Sequence, residues 1–151
     1  MHTLVRRYIK TAVAFLAAGL AVGLWMVARR ELWLRHPTPY EVSAHTHAIL
    51  VGFVMLMIQG VALWLFPRPD KADARYRPAL AEGAYWLVTL GTAGRVVAEL
   101  ARPTGAALWL RWTVVLTSLA QLAGIALFFY TMWSRIRPLG SQAREARGER
   151  F

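Results

Sequence analysis

Long apolar runs alternate with short charged or proline-bearing gaps along this chain, at about residues 8–28, 44–66, 80–100 and 107–133. About 20 apolar residues wound as an α-helix cover the hydrocarbon core of a bilayer, so each run is expected to be a membrane-spanning helix. The first has Arg6, Arg7 and Lys10 at its start, as a signal peptide would. It is too long for one, however, and ends in Trp25-Met26-Val27-Ala28-Arg29-Arg30 without a small-residue cleavage site. Gly19 and Gly23 on that run form a small-xxx-small pair suited to close helix packing. Arg29 to Tyr40, with Pro37 and Pro39, is expected as a polar connection, and Pro67 ends the second run. Arg102-Pro103-Thr104-Gly105 is expected as a turn. Short gaps imply antiparallel neighbours. The expected fold is all-α and polytopic: a four-transmembrane-helix bundle over 1–134, then a basic tail over 135–151 that frays or lies on the surface.

Composition agrees. The chain is 57% hydrophobic and has no cysteine, which removes disulfides, thiolate metal sites and covalent c-type heme attachment. Its net charge of +10 would raise nucleic acid as a partner in a soluble protein. Here the basic residues lie between the apolar runs, so topology accounts for them and no nucleic acid is expected. Twelve of the 18 Lys and Arg residues flank one side: the N-terminus, the loop around Lys71 and the tail. The positive-inside rule then places both termini in the cytoplasm, in an integral protein of the cytoplasmic membrane. His45 and His47 fall near the outer face.

Those histidines open the second run as His45-Thr46-His47. Imidazoles at a span edge either hydrogen-bond to water and headgroups or bind something. Residues i and i+2 point roughly 200° apart on an α-helix, so the two rings suit two separate sites better than one ion. Copper or zinc on His36, His45 and His47 would need an unwound helix start. Arg95 and Glu99 stand one turn apart in the third run, at a depth similar to His45; they are a functional pair or a plain intrahelical ion pair. Arg102 and Arg111 lie in the next gap, where interfacial anchoring is the ordinary role. Gln59, Thr113, Thr117, Ser118 and Gln121 are expected to join helices by hydrogen bonds, and Trp33, Trp109 and Trp112 to sit in the interfacial belt. Met55 and Met57 lie too deep to reach an iron at the outer face.

Ala44-His45-Thr46-His47, Gly52-Phe53 and Phe66-Pro67-Arg68 resemble the heme-bearing helices of subunit I of heme-copper oxidases and nitric oxide reductases. The His and Gly-Phe pattern is also similar to membrane heme proteins associated with nitric oxide tolerance. In a His-x-His pair of the first family, one histidine binds the high-spin heme and the other the low-spin heme. The resemblance therefore implies heme b, with His45 and His47 as iron ligands and Arg95 and Arg102 near the propionates. It implies electron transfer, or binding of nitric oxide or oxygen; as an enzyme the protein would be an oxidoreductase acting on one of these gases. No other span carries a histidine, so the family's three-histidine copper site and His–Tyr pair are missing. Subunit I has twelve spans in three four-helix arcs, and this chain is the size of one arc. A homotrimer would rebuild the ring and set His45 of one protomer opposite His47 of the next. Its partners would be heme, lipid, two further copies, and a redox protein of a respiratory or denitrification chain. The alternative is a cofactor-free small membrane subunit or assembly factor of a respiratory complex.

Overall fold

The computed structural model describes residues 3–67, 75, 77–102, 107–136 and 147–148. Regular structure among them is entirely helical. Helix α1 covers Thr3–Trp33. A continuous rod of 27 residues follows, Pro39–Leu65. It comprises α2 (Pro39–His47), a π-helical segment (Ala48–Met55) and α3 (Leu56–Leu65). Helix α4 covers Pro78–Ala101 and α5 covers Leu108–Met132, the latter extended by a 3₁₀ turn, Trp133–Arg135. Helix α1, the rod and α5 are long and apolar enough to cross a membrane. Their large side chains point largely outward: Leu24 is 71% and Leu122 65% exposed. Helices apolar on their outer faces are solvated by lipid, so the protein is membrane-embedded. The loop at Lys71, the turn at Pro103-Thr104-Gly105 and most of the expected tail lie outside the described residues.

The gap between the first two spans is shorter than expected, because both helices extend into it. Glu41 N–H donates to Thr38 Oγ at 3.3 Å while Thr38 N–H donates to Glu41 Oε2 at 2.7 Å. That capping box, with Pro39 in the first turn, starts α2 five residues before Ala44. Helix α1 ends where Leu34 turns to φ 53° and Arg35 N–H reaches back to Arg29 O at 3.1 Å. This bond folds the chain back onto a carbonyl just before the last turn. The π-helical segment was not expected; such segments are rare and recur at functional sites.

Contacts at the two ends establish the alternation. At one end Arg7 pairs with Glu82 at 2.7 Å, and Arg135 Nε donates to Pro67 O at 2.8 Å. At the other, Arg29 pairs with Glu41, and the Arg102 guanidinium lies 4.5 Å over the Tyr40 ring. Neighbours in sequence are thus antiparallel neighbours in space: α1 on the rod, the rod on α4, and α4 on α5. Helices α4 and α5 approach closely; a Cβ at Gly91 would stand 2.9 Å from Thr117 O. Tyr8, Leu56, Tyr85, Val88, Phe128 and Met132 form the core at the first end. Arg135, expected in the tail, is instead buried against the carbonyls of Leu63, Phe66 and Pro67. A guanidinium there satisfies carbonyls that a helix C-terminus leaves open.

Candidate functional site

His45 and His47 sit in the last turn of α2, immediately before the π-helical segment. The stretch carrying them is regular, so the rings diverge. His45 faces α1: its Nδ1–H donates to Gly19 O at 2.8 Å. The ring lies flat enough on α1 that a Cβ at Gly23 would stand 2.9 Å from His45 Cε1. The Gly19–Gly23 pair is therefore the seat of the imidazole as well as a helix contact. His45 borders an open cleft of about 300 Å³, with Met26, Val27, Arg30, Pro37 and Val42 on its walls.

His47 takes the other flank. Its Nδ1–H donates to Ser43 O at 2.8 Å, one turn back. The Ser43 hydroxyl donates to Glu99 Oε1 of α4 at 2.8 Å. Arg95 Nε donates to the same oxygen at 3.0 Å, and Arg95 Nη1 donates to Ser118 Oγ of α5 at 2.8 Å. One polar chain thus links His47, Ser43, Glu99, Arg95 and Ser118 across three helices. Glu99 is 3% exposed, and its second oxygen, Oε2, has no hydrogen-bond partner among the described residues.

Carbonyl oxygens only accept, so both imidazoles carry their proton on Nδ1 when neutral. Each Nε2 keeps its lone pair. Ligating histidines commonly show this arrangement, with one ring nitrogen anchored on a carbonyl and the other given to the metal. The donor set thus fits an iron ligand on either flank of α2. It does not form a closed ion cage: no group of three His, Cys, Asp or Glu among the described residues is placed to hold a metal. His36, His45 and His47 accordingly do not combine for copper or zinc.

The remaining expected residues are placed as follows. Arg95 and Glu99 form the intrahelical pair, with Ser118 and Ser43 added from neighbouring helices. Arg102 stacks on Tyr40, and Arg111 is exposed. Gln121 joins α5 to α4 through Thr92 at 3.0 Å. Gln59 joins nothing: it is fully buried, and neither amide atom has a hydrogen-bond partner among the described residues. Thr113, Thr117 and Ser118 bond back to carbonyls of their own helix. Ser43 and Arg30 were not anticipated. Ser43 had a signal, since it precedes His47 by four residues on one helix face; Arg30 reaches the His45 cleft only through the packing of α1 on α2.

No family model, curated protein or solved structure matches this chain.

Proposed function

We propose that this chain is a heme b-binding integral membrane protein of the heme-copper oxidase type. His45 and His47 are its iron ligands, on opposite flanks of one helix near the outer membrane face. The observation that carries the reading is the matched anchoring of the two rings. Each Nδ1 is fixed on a backbone carbonyl, 2.8 Å from Gly19 O in one case and 2.8 Å from Ser43 O in the other. Each Nε2 is left as a donor with a set direction. Four spans with both termini cytoplasmic, assembled as a homotrimer, would bring His45 of one protomer opposite His47 of its neighbour.

When bound, heme supplies a one-electron couple or an iron that takes a diatomic gas such as nitric oxide or oxygen. The chain's own residues do the rest. Gly19 and Gly23 seat the His45 ring, and Ser43 orients His47 while tying it to the Glu99–Arg95 pair. Arg30, paired with Glu31, stands on the wall of the His45 cleft, Arg95 is held by Glu99, and Arg102 adds positive charge at the same end. Ligation on both faces of the iron favours electron transfer to a redox partner, whereas one open face allows gas chemistry. Purified protein should be coloured, give a heme b pyridine hemochrome spectrum, and lose the group to acidic acetone because no cysteine is present to bond it. A colourless protein that cannot be reconstituted with hemin would sink this reading. It would leave a cofactor-free membrane subunit of a larger respiratory complex.

A further inference from the structure

Where the apolar stretch of α1 gives out, the helix carries an open cleft of about 510 Å³ that neither His45 nor His47 lines. Trp25, Arg29, Trp33 and Arg35 line it. The two indole rings stand 5.9 Å apart, and the Arg29 guanidinium lies 5.8 Å from the Trp25 ring. The charges of the two arginines differ in status. Arg29 is neutralised by Glu41. Arg35 has no ion pair among the described residues, so the cleft carries a net positive charge. A specific turn holds Arg35 there. Leu34 adopts φ 53°, a conformation bulky residues seldom take, and this lets Arg35 N–H close on Arg29 O. The Leu34 side chain is 85% exposed, so the turn is not made in order to bury it.

We infer that this cleft binds the phosphate diester of an anionic phospholipid, with Arg35 as the cation and Trp25 and Trp33 flanking the glycerol region. Three features favour this occupant. Guanidinium groups form strong charge-assisted hydrogen bonds with phosphate oxygens. Indoles settle at the headgroup level of a bilayer. Below the cleft α1 presents exposed Ala14, Ala18 and Ala21, along which an acyl chain can lie. A second copy of this chain is a poorer fit. The carboxylates described at this end are already engaged, Glu31 by Arg30, Glu41 by Arg29 and Glu99 by Arg95, so a copy has none to offer Arg35.

The test is native mass spectrometry of the delipidated protein titrated with phosphatidylglycerol, phosphatidylcholine or inorganic phosphate. Wild type should retain phosphatidylglycerol at least about tenfold better than phosphatidylcholine. Arg35→Gln should abolish that preference, and Arg111→Gln, an exposed cation outside the cleft, should keep it. Leu34→Gly should also keep it, because glycine takes the same turn freely. The inference is overturned if wild type shows no preference, if Arg35→Gln keeps it, or if inorganic phosphate at equal concentration displaces the lipid. The last outcome would mark a free-anion site in which the apolar track has no part. None of these readouts depends on heme.

Discussion

Ser43 and Glu99 meet across the boundary between α2 and α4, hydroxyl to carboxylate at 2.8 Å. The bond makes the orientation of His47 answerable to a charge pair on another helix. Glu99→Leu removes the acceptor and leaves Arg95 without its counter-charge. Breaking a buried pair from one side costs about 3–5 kcal/mol; partial exposure of Arg95 should bring the loss to the low end. Replacing both residues with leucine should recover most of it. Chemical denaturation in detergent measures this, and equal losses in the single and double variants would mean that the pair is not the issue. In heme-loaded protein Arg95→Leu should also shift the midpoint potential or weaken heme retention, with Arg95→Lys restoring part. An unchanged potential leaves Arg95 as an ion-pair partner only.

The histidines give a complementation test. His45→Ala and His47→Ala should each lose low-spin heme, because each ring in the proposed trimer lacks one ligand at every site. Co-expressed, the two variants place an intact His45 opposite an intact His47 in mixed rings, and part of the low-spin spectrum should return. A native mass showing a fully heme-loaded monomer would instead require each heme to be held within one chain.

Gly23 is predicted to be intolerant of side chains for a local reason. A Cβ there stands 2.9 Å from Cε1 and 3.2 Å from Nδ1 of His45. Gly23→Leu should push the imidazole off Gly19 O and reproduce the His45→Ala spectrum, with Gly23→Ala intermediate. A wild-type spectrum in Gly23→Leu would detach His45 from heme binding.

Gln59 is the reverse case. A buried amide without a partner costs about 1–3 kcal/mol. Gln59→Leu has similar volume and removes that penalty, so the unfolding temperature in detergent should rise. A marked fall would reveal a hydrogen-bonding partner of Gln59, such as water or a second chain.

Reporter fusions near Pro37 and in the loop after α4 should read as outside, and fusions at Lys71 and both termini as inside. A cytoplasmic signal at Pro37 would invert the whole arrangement and move the histidines to the inner face.

How much of this was legible from sequence depended on whether a signal is local. Of the four expected spans, the one over 80–100 folds as helix α4 but is not among the helices long and apolar enough to cross. The other three were legible, because apolar length is a property of one segment. So was the Arg95–Glu99 pair, because i, i+4 neighbours meet on any helix, and so was the divergence of His45 and His47. The start of α2 was legible in principle from Thr38-Pro39-Tyr40-Glu41, but two prolines in the gap masked a capping box. The Ser43–Glu99 bond, the place of Arg30 on the His45 cleft and the lack of a partner for Gln59 among the described residues were not legible, since they depend on which helix faces come together. The π-helical segment was equally hidden: Ala48–Met55 reads as an ordinary apolar stretch, and nothing in its residue types marks the altered hydrogen bonding.

Arg135 has a consequence for the order in which the protein matures. The carbonyls that end α3 belong to Leu63, Phe66 and Pro67, yet the guanidinium that binds them arrives some seventy residues later. While the ribosome is still making α4 and α5, the end of the rod must be hydrated. The rod that carries both imidazoles is therefore among the early segments to be synthesised and among the last to be clasped. A chain stopped just before Arg135 should leave the translocon with all its helices and an open seam.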